Sequence, residues 1–166
     1  MKSKLIIIRG NSGSGKTTIA QLLRNHFERG QVMLITQDTL RLDILNTKDF
    51  VGNPTVDLVK MIAAFGKDKY DYIIIEGIFN SKIYKDLFLE LADSFEYHIH
   101  AYYYDLSFEE TVLRHSTRDK SKDFGPDRMK DWWLEKDYLN LENEKILDGT
   151  LSQEYVLNKI LNDLSI

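Results

Sequence analysis

Apolar residues along this 166-residue chain fall into two alternating patterns, short unbroken runs and longer stretches at helical spacing. Leu5-Ile6-Ile7-Ile8, Val32-Met33-Leu34-Ile35 and Tyr72-Ile73-Ile74-Ile75 have no polar interruption, as expected of strands buried on both faces of a parallel sheet. Ile19, Ala20, Leu22, Leu23 and Phe27 instead recur every three to four positions. So do Ile83, Leu87, Phe88, Leu91 and Ala92, and later Val156, Leu157, Ile160, Leu161 and Leu164, which predicts three amphipathic helices. Phe95 to Tyr104 reads as a tyrosine-rich strand closed by Asp105, and Lys145-Ile146-Leu147-Asp148 as a short last one. Five strands alternating with helices predict an α/β domain.

The polar positions punctuate this pattern. Gly30 stops the first helix, and Asn53-Pro54 predicts an N-cap followed by Pro at the first position of a helix running to about Phe65. Ser107 and Glu110 form a capping box that opens a helix reaching Arg118. Residues 119–125 are charged, and Pro126 restarts a helix with Met129, Trp132, Trp133 and Lys136. This helix-loop-helix, about 114–140, is expected to form a lid. Its tryptophans suit packing better than a stacking platform for an acceptor ring, and Arg128 is open to either use. With no repeat, linker or composition break, residues 1–166 read as one domain.

Between the first strand and first helix lies Gly10-Asn11-Ser12-Gly13-Ser14-Gly15-Lys16-Thr17-Thr18, which fits G-x-x-x-x-G-K-[ST] in the strand–loop–helix context that the motif requires. Glycines let successive N–H groups turn inward toward an anion, which the helix N-terminus also attracts. Lys16 adds a full charge where β- and γ-phosphates would lie, and Thr17 offers a hydroxyl to Mg²⁺. The second strand ends at Gln37-Asp38 and the third at Glu76-Gly77, and ligands of open parallel sheets bind at such strand ends. Asp38 either caps the element that follows or meets substrate, the second reading being preferred. Arg41 shares its face if the chain turns helical there. Glu76 either holds Mg²⁺ or positions an acceptor hydroxyl. Arg114 and Arg118, four apart, either complement a helix dipole or reach over nucleotide phosphates, again with the second preferred. His98 and His100 alternate onto one strand face without a third ligand, so packing is expected rather than a metal site.

Composition narrows the classes. The absence of cysteine excludes disulfides, thiolate metal sites and cysteine nucleophiles and suits a reducing cytoplasm. Met1-Lys2-Ser3-Lys4 leads into too short an apolar run for a signal-peptide core, and no stretch approaches membrane-spanning length, so a soluble cytoplasmic protein without a membrane partner is expected. The net charge is −4, yet residues 1–31 carry six Lys/Arg against Glu28 alone. Positive charge around the loop on an otherwise acidic chain suits a small anion and not a long nucleic acid.

Taken together, the phosphate loop, Gln37-Asp38-x-x-Arg41, the strand ending in Glu76 and Arg114-x-x-x-Arg118 resemble the small P-loop kinases. The likeness is to the group with chloramphenicol phosphotransferase, zeta toxins, the polynucleotide kinase phosphoryl-transfer domain and bacterial uridine kinase-like proteins. That resemblance implies a P-loop NTPase fold in three layers, with a parallel five-stranded sheet in the order 2-3-1-4-5, helices on both faces and a helical lid. It implies ATP and Mg²⁺ as cofactors, with Asp38 as the base or hydroxyl-orienting group and Arg114 and Arg118 as lid arginines. Glu76 stands where Asp is usual. The expected activity is transfer of the ATP γ-phosphoryl group to a hydroxyl of a small molecule, nucleoside-like or another metabolite. Lys16, Asp38, Arg114 and Arg118 are the expected catalytic residues, Asp38, Arg41 and Glu76 the acceptor site, and Thr17 with Glu76 the metal site. The rivals are a nucleotide-sugar or a 5′-hydroxyl nucleic-acid end as acceptor, and an ATPase or switch with none.

Overall fold

Leu5 to Ile8 are fully buried because their strand lies at the centre of the sheet, with a neighbour on either side and a helical layer on either face. The computed structural model describes residues 2–165; Met1 and Ile166, the ends of the single-domain reading, lie outside the described residues. The elements are β1 Lys4–Gly10, α1 Lys16–His26, β2 Val32–Thr36, a π-helical turn Thr39–Ile44, α2 Thr55–Gly66, β3 Tyr72–Gly77 and α3 Ser81–Ser94. They continue with β4 Ile99–Asp105, α4 Phe108–Ser116, a 3₁₀ turn Asp119–Lys122, α5 Pro126–Asp131, β5 Glu144–Asp148 and α6 Gln153–Asp163. The strands are all parallel in the order β2-β3-β1-β4-β5, as expected.

Strand parity divides the core. Leu5, Ile7, Ile73, Ile75 and Ala101 pack beneath α2 and α3, while Ile6, Ile8, Ile74, Tyr102 and Tyr104 pack beneath α1 and α6. Glu76 shares the parity of Ile74 and is paired in register with Ile8, so it faces the α1 side. Arg9 shares the parity of Ile7 and points to the opposite layer.

Four boundaries differ from expectation. Phe95 closes α3 instead of opening a strand, because Glu96 and Tyr97 turn through left-handed conformations (φ 52° and 60°) that no strand can contain. His98 therefore precedes β4 and does not pair with His100 on a strand face; among the described residues no cluster of metal-ligating side chains occurs. Asn53 does cap α2, its Oδ1 accepting from the Thr55 N–H at 2.9 Å, and Pro54 stands just before the first helical residue. The third is α4, which ends at Ser116, with Thr117 as its C-cap, so Arg118 lies beyond the helix that was expected to carry it; the fourth is α5, which ends at Asp131 and leaves Trp132, Trp133 and Lys136 outside the helix expected to contain them.

Arg9 changes the picture of charge drawn from the sequence. It is fully buried, donating from Nε and Nη2 to the Phe79 carbonyl (3.1 and 2.7 Å), from Nη2 to Asp137 Oδ2 (2.7 Å) and from Nη1 to the Asp137 carbonyl (2.9 Å). Burial pushes its pKa down, and Asp137 and Glu144 oppose that shift. Its charge is matched by those two carboxylates. Asp137 also accepts from the N–H and Oγ of Ser81, at the start of α3 (2.9 and 2.5 Å). Removing one partner of a buried pair leaves a charge uncompensated. Asp137→Ala is expected to cost about 3–5 kcal/mol in a urea denaturation; an unchanged midpoint would mean that Glu144, 3.4 Å from Arg9, compensates it alone.

Candidate active site

Gly13 and Gly15 adopt φ of 81° and 100°, left-handed values that let the chain between β1 and α1 fold back on itself. Gly15 is the residue that leads into α1, so Lys16, Thr17 and Thr18 form its first turn, at the end of the helix that attracts anions. Among these, Lys16 reaches back across the loop and donates to the Asn11 carbonyl at 3.1 Å. Ser12 and Thr18 are solvent-accessible, whereas Gly10, Asn11, Gly13 and Ser14 are buried. The expected cofactor residues 10–18 are thus one continuous loop and helix start at the carboxyl end of the central strand.

Glu76 comes to the same place from β3. It is 2 % exposed, and its Oε2 accepts from Thr17 Oγ1 at 3.1 Å. Burial drives its pKa above the ordinary carboxylate range; Lys16 and the Thr17 hydroxyl oppose that, nearby Asp38 adds to it, and the Thr36 hydroxyl opposes it. A hydroxyl and a buried carboxylate in contact are the hard oxygen donors that Mg²⁺ takes, so these residues fit the ion. A carboxyl whose pKa is raised by folding favours the protonated form. Its contribution is therefore favourable below the pKa in the unfolded chain and is lost as pH rises through the folded value. In magnesium-free buffer the thermal midpoint should decline with pH above the usual glutamate range, and Glu76→Gln should flatten that decline, as scanning fluorimetry at stepped pH would read.

Asp38 and Arg41 are brought together as expected. Arg41 Nη2 lies 3.5 Å from Asp38 Oδ1, the side chains being 21 % and 51 % exposed. Asp38 makes no capping hydrogen bond to the π-helical turn, so the alternative capping role finds no support. Arg41 is loosely held: Nη1 reaches the Thr47 carbonyl only at 3.5 Å, and its Nε is buried without a partner among the described residues. Such a donor calls for an acceptor atom.

The arginines after β4 are placed differently from each other. Arg114 is engaged on the outer side of the loop, donating from Nε to Glu110 (2.6 Å), Nη1 to the Ser14 carbonyl (3.1 Å) and Nη2 to the Gly149 carbonyl (2.9 Å). Arg118 is half-buried, and among the described residues its side chain has no hydrogen bond or ion pair. The two do not share a helical face, since α4 ends between them.

Several residues of the site were not singled out from the sequence. Gln37 is 2 % exposed, and its Oε1 accepts from the Phe79 N–H at 2.9 Å. Phe79 is strained at φ 45°, three residues beyond Glu76, and Arg9 grips its carbonyl from the other side. A Cβ on Gly77 would come within 2.5 Å of the Gln37 Cβ, so the two strand ends touch. Tyr84 donates to Asp49 at 2.6 Å, and its pKa is pushed up to about 12, chiefly by burial and then by that bond. Asn53 binds the same Asp49 and the Phe50 carbonyl, so the 46–53 connection stands on a fixed base. Of the stretch 114–140 expected to form a lid, Leu134, Asp137 and Leu139 are instead bonded or packed into the body, as is Leu141 just beyond it. Leu134 pairs with Asn11, Asp137 with Arg9, and Leu139 and Leu141 lie in the core.

Comparison with known proteins agrees with this geometry. The chain resembles the structure of a gluconokinase from Sinorhizobium meliloti 1021, with a TM-score of 0.71 and 16% identity over 98% of this chain and 91% of that one. It resembles the Mycobacterium tuberculosis APS kinase in complex with AMPPNP and APS at a TM-score of 0.70, with 15% identity over 99% of each chain. A tunicamycin resistance protein from Deinococcus radiodurans matches at a TM-score of 0.59, with 16% identity over 99% of this chain and 97% of that one. No curated protein sequence matches. Among the described residues no helix is long and apolar enough to cross a membrane. These likenesses establish a P-loop kinase-like fold, and since the family profile described as "AAA domain" matches residues 5–132, the protein belongs to that family.

Proposed function

We propose that this protein transfers the γ-phosphoryl group of ATP to a hydroxyl of a small, oxygen-rich acceptor, in the cytoplasm. The observation that carries the reading is the meeting of Lys16, Thr17 and Glu76 with the Asp38–Arg41 pair across neighbouring strand ends. Main-chain amides of residues 10–18 and the Lys16 ammonium hold the phosphates. Thr17 and Glu76 hold Mg²⁺, which when bound supplies positive charge to the phosphate oxygens. Asp38 orients the acceptor hydroxyl and takes its proton as the oxygen attacks the γ-phosphorus. The bond from that phosphorus to the β-phosphate oxygen breaks, and ADP departs. Arg118 neutralises charge on the group in transit, while Arg114 braces the loop from outside. Arg41, with its unmatched Nε, takes an oxygen-bearing and preferably anionic group beside the reacting hydroxyl.

Purified protein with γ-labelled ATP and Mg²⁺, offered sugar acids, neutral sugars, nucleosides and 5′-hydroxyl oligonucleotides, tests the reading. Label transfer to a hydroxylated small molecule, anionic ones first, is the expected result. Transfer to oligonucleotides alone would move the acceptor to nucleic-acid ends, and hydrolysis indifferent to every acceptor would make the protein an ATPase.

A further inference from the structure

The outward surface of the phosphate loop is covered by the two roots of one segment. At the first root, a Cβ on Gly13 would lie 2.5 Å from the Thr111 carbonyl oxygen and 3.3 Å from the Met129 methyl, so α4 and α5 sit directly on the loop. At the second, Asn11 Nδ2 donates to the Leu134 carbonyl at 2.7 Å and Oδ1 accepts from the Leu134 N–H at 2.9 Å, with Asn11 only 5 % exposed. Between the roots the segment closes on aromatic contacts. Phe124 stacks on His115 at 4.5 Å and meets the Trp132 ring edge-on at 5.2 Å, and Trp133 meets Phe108 edge-on at 5.3 Å. Both ends of the Asn11 amide are thus directed away from the concave side of the loop and into the backbone that follows α5.

We propose that Asn11 is a positioning residue that makes the 117–133 segment follow the shape of the phosphate loop. The inference rests on the reading of that loop as the nucleotide site. Asn11 and Leu134 cannot shift apart without breaking two short hydrogen bonds at once. A loop that rearranges around phosphates therefore carries Leu134 with it, and through Leu134 the end of the segment that contains α5. The coupling is directional because an amide facing a peptide in this way fixes both distance and register.

The chain contains two tryptophans, Trp132 and Trp133, immediately before Leu134, so emission excited selectively at tryptophan reads this segment. Full-length protein and Asn11→Ala are titrated with Mg²⁺-AMPPNP while heat and tryptophan emission are followed in parallel. The wild type should bind with a change in emission. Asn11→Ala should bind within about tenfold of the parental affinity but lose most of the emission change, and its kcat should fall with KM for ATP little altered. Asn11→Asp, which keeps the side-chain shape but sets a carboxylate against the Leu134 carbonyl, should show the same uncoupling and serves if the alanine variant does not fold. Full parental emission change in a variant that binds, or a wild type that binds without one, overturns the proposal and leaves the nucleotide reading standing. A wild type that gives neither heat nor emission change overturns both.

Discussion

Replacing Lys16 with alanine is expected to lower turnover by about a thousandfold or more while leaving the fold intact. The size of the effect follows from the sign of the site. Two carboxylates, Glu76 and Asp38, stand close enough to influence each other, and Glu76 is already pushed toward its protonated form by burial. Lys16 is the charge that the loop itself contributes against them. Without it, a nucleoside triphosphate would meet Asp38 and Glu76 with only arginines in opposition, and the phosphoryl group would develop charge with no lysine at the loop. Because Lys16 lies at the first turn of α1, outside both core clusters, its truncation costs little packing. The check is initial-rate measurement with calorimetric ATP titration, and circular dichroism to establish that the variant is folded. Turnover within tenfold of the parent would remove the loop lysine from the chemistry.

Asp38→Asn should reduce turnover by about a hundredfold to ten-thousandfold with ATP affinity nearly unchanged. Asparagine keeps the shape and can still meet a hydroxyl, but it cannot take a proton. The carboxylate is half exposed, makes no capping bond and among the described residues is ion-paired with Arg41 alone, so no structural task hides its chemical one. The expected signature is a fall in kcat with the acceptor identified by label transfer, and a weakened hold on Arg41. A variant that retains the parental rate assigns proton removal elsewhere and leaves Asp38 as an orienting group at most.

The parts of this molecule that were legible from sequence are those set by local periodicity and by one dense motif. Unbroken apolar runs located the strands of the sheet, and the glycine spacing located residues 10–18, because both patterns are enforced by backbone geometry over a few neighbouring positions. Parity would also have placed Arg9 with Ile7 on the face away from the loop; counting its charge without its face assigned it to the wrong side. Phe95 to His98 were misread as strand because aromatic residues favour strands, whereas two consecutive left-handed residues there close a helix. The links from Asn11 to Leu134, from Arg9 to Asp137 and from Gln37 to Phe79 join residues 42 to 128 positions apart, and no spacing rule reaches that far. The same limit applies to α4: capping chemistry marked its start at Ser107, but its stop before Arg118 is made by contacts with the turn that follows.

The central position of β1 also has a consequence for how the chain is made. Lys4 is partnered by Tyr72, and Leu5 by Ile99 on the other side, so β1 has no partner until β3 follows it by 68 positions, and lacks its second until β4 follows by 94. A greasy tetrapeptide held open for that interval is a target for chaperones and for self-association, and parallel pairing across such separations is slow. Folding of this domain should therefore depend more on protection of β1 during synthesis than on the stability of the finished sheet.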